Sequence, residues 1–228
     1  MQHDPIDLST IPKTRAFLEE WFDCGNLVSQ LPDAPPPLKQ AWTEFGLLFL
    51  AHEGTPPWHH GPLATQNRLL PPQNVISKNG ASIFAVENQQ VWEWAYDTAT
   101  PVLDPTVLQR VPSVDSKNDW IDLLTSLSSF LADFILDEAI FFANVGLLHL
   151  TEPQLEEIYE SCVVPIATHP LGRGLGNSEI QQRLRVSLDG QYMLWDLGSA
   201  EESFIASASR ARELIGPLLI KARNAPGI

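Results

Sequence analysis

The segment from Asp119 to Phe142, DWIDLLTSLSSFLADFILDEAIFF, limits the possible folds of this chain more than any other. Trp120, Leu123, Leu124, Leu127, Phe130, Leu131 and Phe134 recur at helical spacing. Asp119 stands where an N-cap belongs, with Asp122 three residues on. The pattern predicts a long helix reaching Phe141 or Phe142, the strongest helical signal in the chain. The other elements have to be arranged so that its apolar side is covered.

Two shorter helices are expected upstream. Ser9 or Thr10 can cap the first, with Pro12 in its first turn, and Phe17, Leu18, Trp21 and Phe22 form one stripe before Gly25. After the rigid connector Leu-Pro-Asp-Ala-Pro-Pro-Pro at 31–37, Leu38, Trp42, Phe45 and Phe49 recur at helical spacing, with Gly46 as an early stop. Residues 52–80 read as a long loop, because prolines 56, 57, 62, 71 and 72 and glycines 54, 61 and 80 break every period. Ser82–Glu87 and Val91–Tyr96 then read as strands flanking Asn88-Gln89-Gln90, a hairpin, and Thr106–Val111 as a further strand.

Past the long helix, Thr151-Glu152-Pro153-Gln154 is a capping box opening a helix through Leu155, Ile158, Tyr159 and Cys162. Residues 165–177 are loop-like. Leu184, Val186 and Leu188 alternate with Arg183, Arg185 and Ser187, and Asp189-Gly190 is a type I′ turn signal with Gln191–Leu197 returning. Phe204–Ala208 can add a strand, and a last helix runs to about Arg223, split at Gly216-Pro217. Strands do not alternate with helices, so the order predicts an α+β fold with a central, mainly antiparallel sheet and flanking helices. The expected division is an α+β unit over 1–150 and an extension over 151–228, a helix, hairpin and helix packed on the same sheet, which could extend that sheet or form a subdomain.

Composition bounds the function. The chain has 228 residues, 44 % apolar and 18 % charged, enough apolar material for a core. Asp+Glu number 28 against 14 Lys+Arg, a formal net charge of −14. Nucleic-acid and anionic-membrane partners are therefore disfavoured, while a basic partner is not. The excess is uneven: residues 1–150 hold 18 acids and seven bases, residues 151–228 ten and seven. The start, MQHDPIDLST, lacks the basic and apolar regions of a signal peptide, and no apolar run approaches the length of a membrane span. The two cysteines, Cys24 and Cys162, form no CxxC and read as small buried hydrophobes. A cytoplasmic location is expected.

Candidate chemistry is sparse. His52, Glu53, His59 and His60 lie close together in HEGTPPWHH, but the spacing is not HExxH, and a solvent-facing loop is favoured over a metal site. Gly172, Gly174 and Gly176 lack the preceding strand, following helix and GK[ST] of a phosphate loop, so a flexible turn is favoured. There is no GxSxG, and the Cys162–His169 spacing carries no information about a nucleophile pair. Glu19-Glu20, Glu156-Glu157 and Glu201-Glu202 are sequence neighbours, which in a helix do not share a face. No catalytic residue, metal or cofactor is expected. The hairpin 84–95 is more specific: Trp92 and Trp94 share one face, as core or as a recognition platform, beside a polar tip.

Several weak motifs occur in a telling order. Leu31-Pro32 precedes a helix ending in Glu44-Phe45-Gly46; Leu70-Pro71-Pro72 follows; then Phe84-Ala-Val-Glu-Asn-Gln-Gln-Val-Trp-Glu-Trp; and Trp120 leads into Leu127-Ser128-Ser129-Phe130-Leu131. In this order, over roughly residues 10–143, the chain resembles the SUKH superfamily, the bacterial group related to yeast cell-wall assembly regulators. The resemblance implies a bent antiparallel sheet with flanking helices and a non-enzymatic binding role. Many bacterial members look like immunity proteins that neutralise toxin domains, often nucleases. A basic nuclease cleft would attract an acidic inhibitor, although ordinary solubility explains the charge equally well. The expected partner-binding residues are Glu87, Asn88, Gln89, Gln90, Trp58 and Glu53. The alternatives are a regulatory or scaffold protein of the same fold and a small hydrolase using the 52–60 loop.

Overall fold

The computed structural model describes residues 7–19, 33–49, 67–78, 80–87, 89, 91–112, 120–148, 153, 156, 160, 162–163, 183–187, 192–199 and 202–207. Among the described residues, helices α1 (Ile11–Leu18), α2 (Pro36–Phe45) and α3 (Leu127–Ala143) accompany eleven strands. These are β1 (Asn67–Leu69), β2 (Ile76–Lys78), β3 (Ala81–Glu87), β4 (Glu93–Asp97), β5 (Thr106–Arg110), β6 (Ile121–Ser126), β7 (Asn144–Leu148), β8 (Cys162–Val163), β9 (Arg183–Ser187), β10 (Tyr192–Ser199) and β11 (Glu202–Ser207). Every strand pairing among the described residues is antiparallel, and the fold is α+β.

The first sheet runs β1-β3-β4-β5-β6, with β2 also on β3. β1 pairs with the second half of β3 and β2 with its first half, so 67–78 is one edge strand interrupted at 70–75. The sequence predicts loop there, and prolines 71 and 72 do force the chain out, into a short 3-10 turn at Pro72–Asn74. They do not prevent pairing on either side. The excursion is anchored where Leu70 N donates to Phe84 O at 2.7 Å and Trp42 Nε1 donates to Leu70 O at 3.0 Å.

In β3, Ile83 pairs with Ala95 but Ala85 pairs with Trp94, so Phe84 is an extra residue, a β-bulge. Phe84 and Ala85 both join the main core, while Ile83, Ala81 and Ala95 join a smaller cluster with Leu70. Trp94 is buried in the core and Trp92 is half-buried against it.

The long helix begins seven residues later than its periodicity suggests. Residues 121–126 form β6 instead. The boundary is set by capping. Ser126 Oγ accepts the Ser129 N–H, Asp104 accepts from the Ser128 N–H and hydroxyl at 2.9 and 2.6 Å, and Leu127 N donates to Pro105 O. Three of the four orphan N–H groups at a helix start are thereby satisfied, with a carboxylate at the positive end of the dipole. From there α3 is buried nearly all round. Phe130 and Phe134 meet Phe84 and Trp94 at centroid distances of 5.8–6.1 Å, two of these contacts being edge-to-face. Each such pair contributes about 0.5–1.5 kcal/mol beyond its buried area. Helices α1 and α2 pack on α3, as do β10 and β11.

At α1 the cap also differs from expectation. Thr10 is the N-cap but its side chain makes no capping bond, while Ser9 turns back to Asp7 through both its N–H and its hydroxyl. Lys13 joins that carboxylate, and the two partners hold its pKa down at about 2. Arg15 Nη1 donates to Glu44 O at 2.6 Å and ties α1 to the end of α2.

The C-terminal hairpin β9–β10 pairs Val186 with Met193, in the expected register. It does not extend the first sheet. A second sheet runs β7-β11-β10-β9-β8, taking β7 from the end of α3. Val186 and Met193 nevertheless belong to the same core as α3. Cys162 opens β8 rather than ending a helix. The stripe at Trp21 and Phe22, the turn at 189–190, the glycine-rich stretch at 172–176 and the last helix lie outside the described residues, as does most of the expected helix at 151–162.

Two carboxylates on α3, Asp133 and Glu138, are buried, and a third, Asp137, is half-buried. Glu138 is fully buried, and its Oε1 accepts from the backbone and side-chain N–H groups of Asn67, fastening β1 to α3. Asp133 is also buried. Burial, reinforced by the neighbouring Glu138, pushes the Asp137 carboxyl up to about 8. A raised carboxyl binds its proton more tightly in the folded chain, so stability falls as pH rises from about 4 towards 8. Asp137→Asn removes this loss. Thermal denaturation should show the variant melting a few °C above wild type at pH 8, with the two converging near pH 4.

Candidate functional site

The β3–β4 hairpin and the adjoining ends of β5 and β6 make the surface that the sequence points to. Glu87 is not displayed at the tip. It is 7 % exposed, and its Oε2 accepts from Gln89 N at 2.8 Å and Val91 N at 3.1 Å, while its own N–H donates to Trp92 O at 2.9 Å. Its carboxylate therefore fixes the turn from inside. Gln89 and Val91 are left exposed by that clamp. Asn88, Gln90, Trp58 and Glu53 lie outside the described residues, as do His52, His59 and His60.

Beside the tip, Glu93 pairs with Arg110 across β4 and β5. Arg110 donates from Nε and Nη2 to Glu93 Oε2 at 2.7 and 2.6 Å. Its guanidinium lies 4.4 Å from the Trp120 ring centroid, a cation–π contact. Trp120 Nε1 is buried without a hydrogen bond among the described residues, so stacking holds this ring on the sheet. Alternation in Thr106–Arg110 places Leu108 and Arg110 on one face, and that was a readable signal for the stack. The contact itself depends on β6 being a strand.

A third feature runs along β6, the edge strand. Thr106 pairs with Ser126 and Leu108 with Asp122, so β6 carries two extra residues there. At the bulge Leu124 adopts φ +55° and is 83 % exposed. Asp122 Oδ1 accepts the Leu124 N–H at 2.8 Å and holds that conformation, which costs a leucine about 1–2 kcal/mol. The helical reading of this stretch hid the bulge, since Leu124 fits the 3.6-residue period.

Among the described residues no group of His, Cys, Asp and Glu could hold a metal, and no helix is long and apolar enough to cross a membrane. The arrangement offers a clamped turn with Gln89 and Val91 exposed, the Glu93–Arg110 pair beside it, and exposed apolar side chains along β6. Searches of family models, curated proteins and solved structures find no match to this chain.

Glu87→Ala leaves two N–H groups of the turn without their charged acceptor. It should destabilise the protein by about 2 kcal/mol and increase hydrogen exchange at Gln89 and Val91, measured by denaturant titration and amide exchange.

Proposed function

We propose that this chain is a non-enzymatic protein-binding module of the SUKH type, acting in the cytoplasm as an immunity protein that neutralises a basic toxin domain. The observation that carries the reading is the hairpin Phe84–Trp94. Phe84 and Trp94 are core, its turn is clamped by Glu87, and Gln89 and Val91 are held outward beside the Glu93–Arg110–Trp120 group. A clamped turn loses little conformational entropy when it docks. The order of motifs from Leu31-Pro32 to Leu131 and the α+β architecture support the SUKH assignment. The net charge of −14 supports a basic partner, which it would steer into encounter.

The test is co-purification with, and rescue from, the toxin domain encoded beside this gene. Binding is expected, with affinity falling about tenfold or more between low and high salt, chiefly through a slower association rate. An affinity that does not respond to salt would remove the electrostatic part of the reading.

A further inference from the structure

The margin of the first sheet along β6 is unaccounted for by the hairpin tip. Of the seven large apolar side chains exposed among the described residues, five lie on it: Val102 and Leu103 before β5, Val111 after it, and Ile121 and Leu124 on β6. Leu103 and Leu124 are 79 % and 83 % exposed. They are carried by two segments fastened together: Thr106 Oγ1 donates to Asp122 Oδ2 at 3.3 Å, Ser128 donates to Asp104, and Leu127 N donates to Pro105 O. Leu124 is also the one non-glycine residue at positive φ among the described residues, kept there by Asp122. Strain that holds an apolar side chain out into water has no use in the isolated fold, and such outliers collect at binding surfaces.

The polar residues around these side chains decide what can cover them. Asp104 and Asp122 are exposed and make no ion pair among the described residues. Across 98–112 and 120–148 the one basic side chain is Arg110, and it is paired with Glu93. A second copy would bring acid against acid. Pairing of a foreign strand is blocked too, because the two extra residues break the β6 ladder. We propose that this margin docks a basic protein domain through side chains alone, Leu103 and Leu124 entering an apolar pocket whose lysine- or arginine-bearing rim meets Asp104 and Asp122. The inference rests on the protein-binding reading above and names a contact surface for it, about 10 Å along the ladder from the tip end at Ile121 to Ser126.

The probe is the C-terminal domain of the secreted protein encoded next to this gene, titrated against full-length wild type, Leu103→Asp, Leu124→Asp and Leu124→Gly. All three variants should bind at least about tenfold more weakly. Their melting temperatures should stay at or above that of wild type, Leu124→Gly because glycine takes φ +55° without strain. If wild type binds and the variants bind within threefold of it, the docking margin is wrong and the protein-binding reading stands. If wild type itself does not bind this domain, both fall.

Discussion

The fold depends on covering α3. Residues 130–136 are all buried, and seven consecutive positions, nearly two turns, leave no stripe for water there. One layer cannot cover such a helix. The first sheet takes the face carrying Phe130 and Phe134, α1 and α2 take another, and strands β10 and β11 close a third. The second sheet is thus a requirement of the helix rather than an appendix. It explains why β7 follows α3 directly and pairs with β11 from the far end of the chain. The carboxylates on α3 belong to the same logic: with water excluded, Glu138 is matched by two Asn67 donors, and Asp137 favours its proton.

The sequence was most legible where a period and its terminators agreed. The β3–β4 hairpin, β5 and the β9–β10 pair follow from alternation bounded by turn residues, within one or two positions. It was least legible where a long-range partner outweighed a local pattern. Trp120, Leu123 and Leu124 fit a helix, but Ser126 and Asp104 supply N-terminal caps only from 127 onward, and β5 offers the preceding residues a ladder. Prolines 71 and 72 signal loop correctly, yet the chain resumes the same edge of β3 at Ile76. Nothing within a dozen residues of Leu70 announces Trp42 Nε1 as its partner.

The candidate surface was half legible for a related reason. Glu87 looks like a tip residue in one dimension, since it adjoins three polar residues. In three dimensions its carboxylate is turned inward by the two N–H groups that follow. What lies outside was hidden by the misread helix: the Arg110–Trp120 stack and the margin at Leu124 exist only once 121–126 is a strand. Charge, by contrast, is visible from composition and needs the fold only to say where basic residues are missing.

Both borders of the first sheet are irregular, one interrupted at 70–75 and the other swollen by two residues in β6. Backbone geometry therefore contributes nothing sequence-independent to recognition at those borders. Under the docking proposal, partner choice there would rest on side chains, and the apolar ones, Leu103 and Leu124, face water and lie outside the core. Such positions can be replaced singly without endangering the fold, so a lineage under pressure to track a changing partner could alter what it recognises one residue at a time while α3 and its covering layers stay as they are.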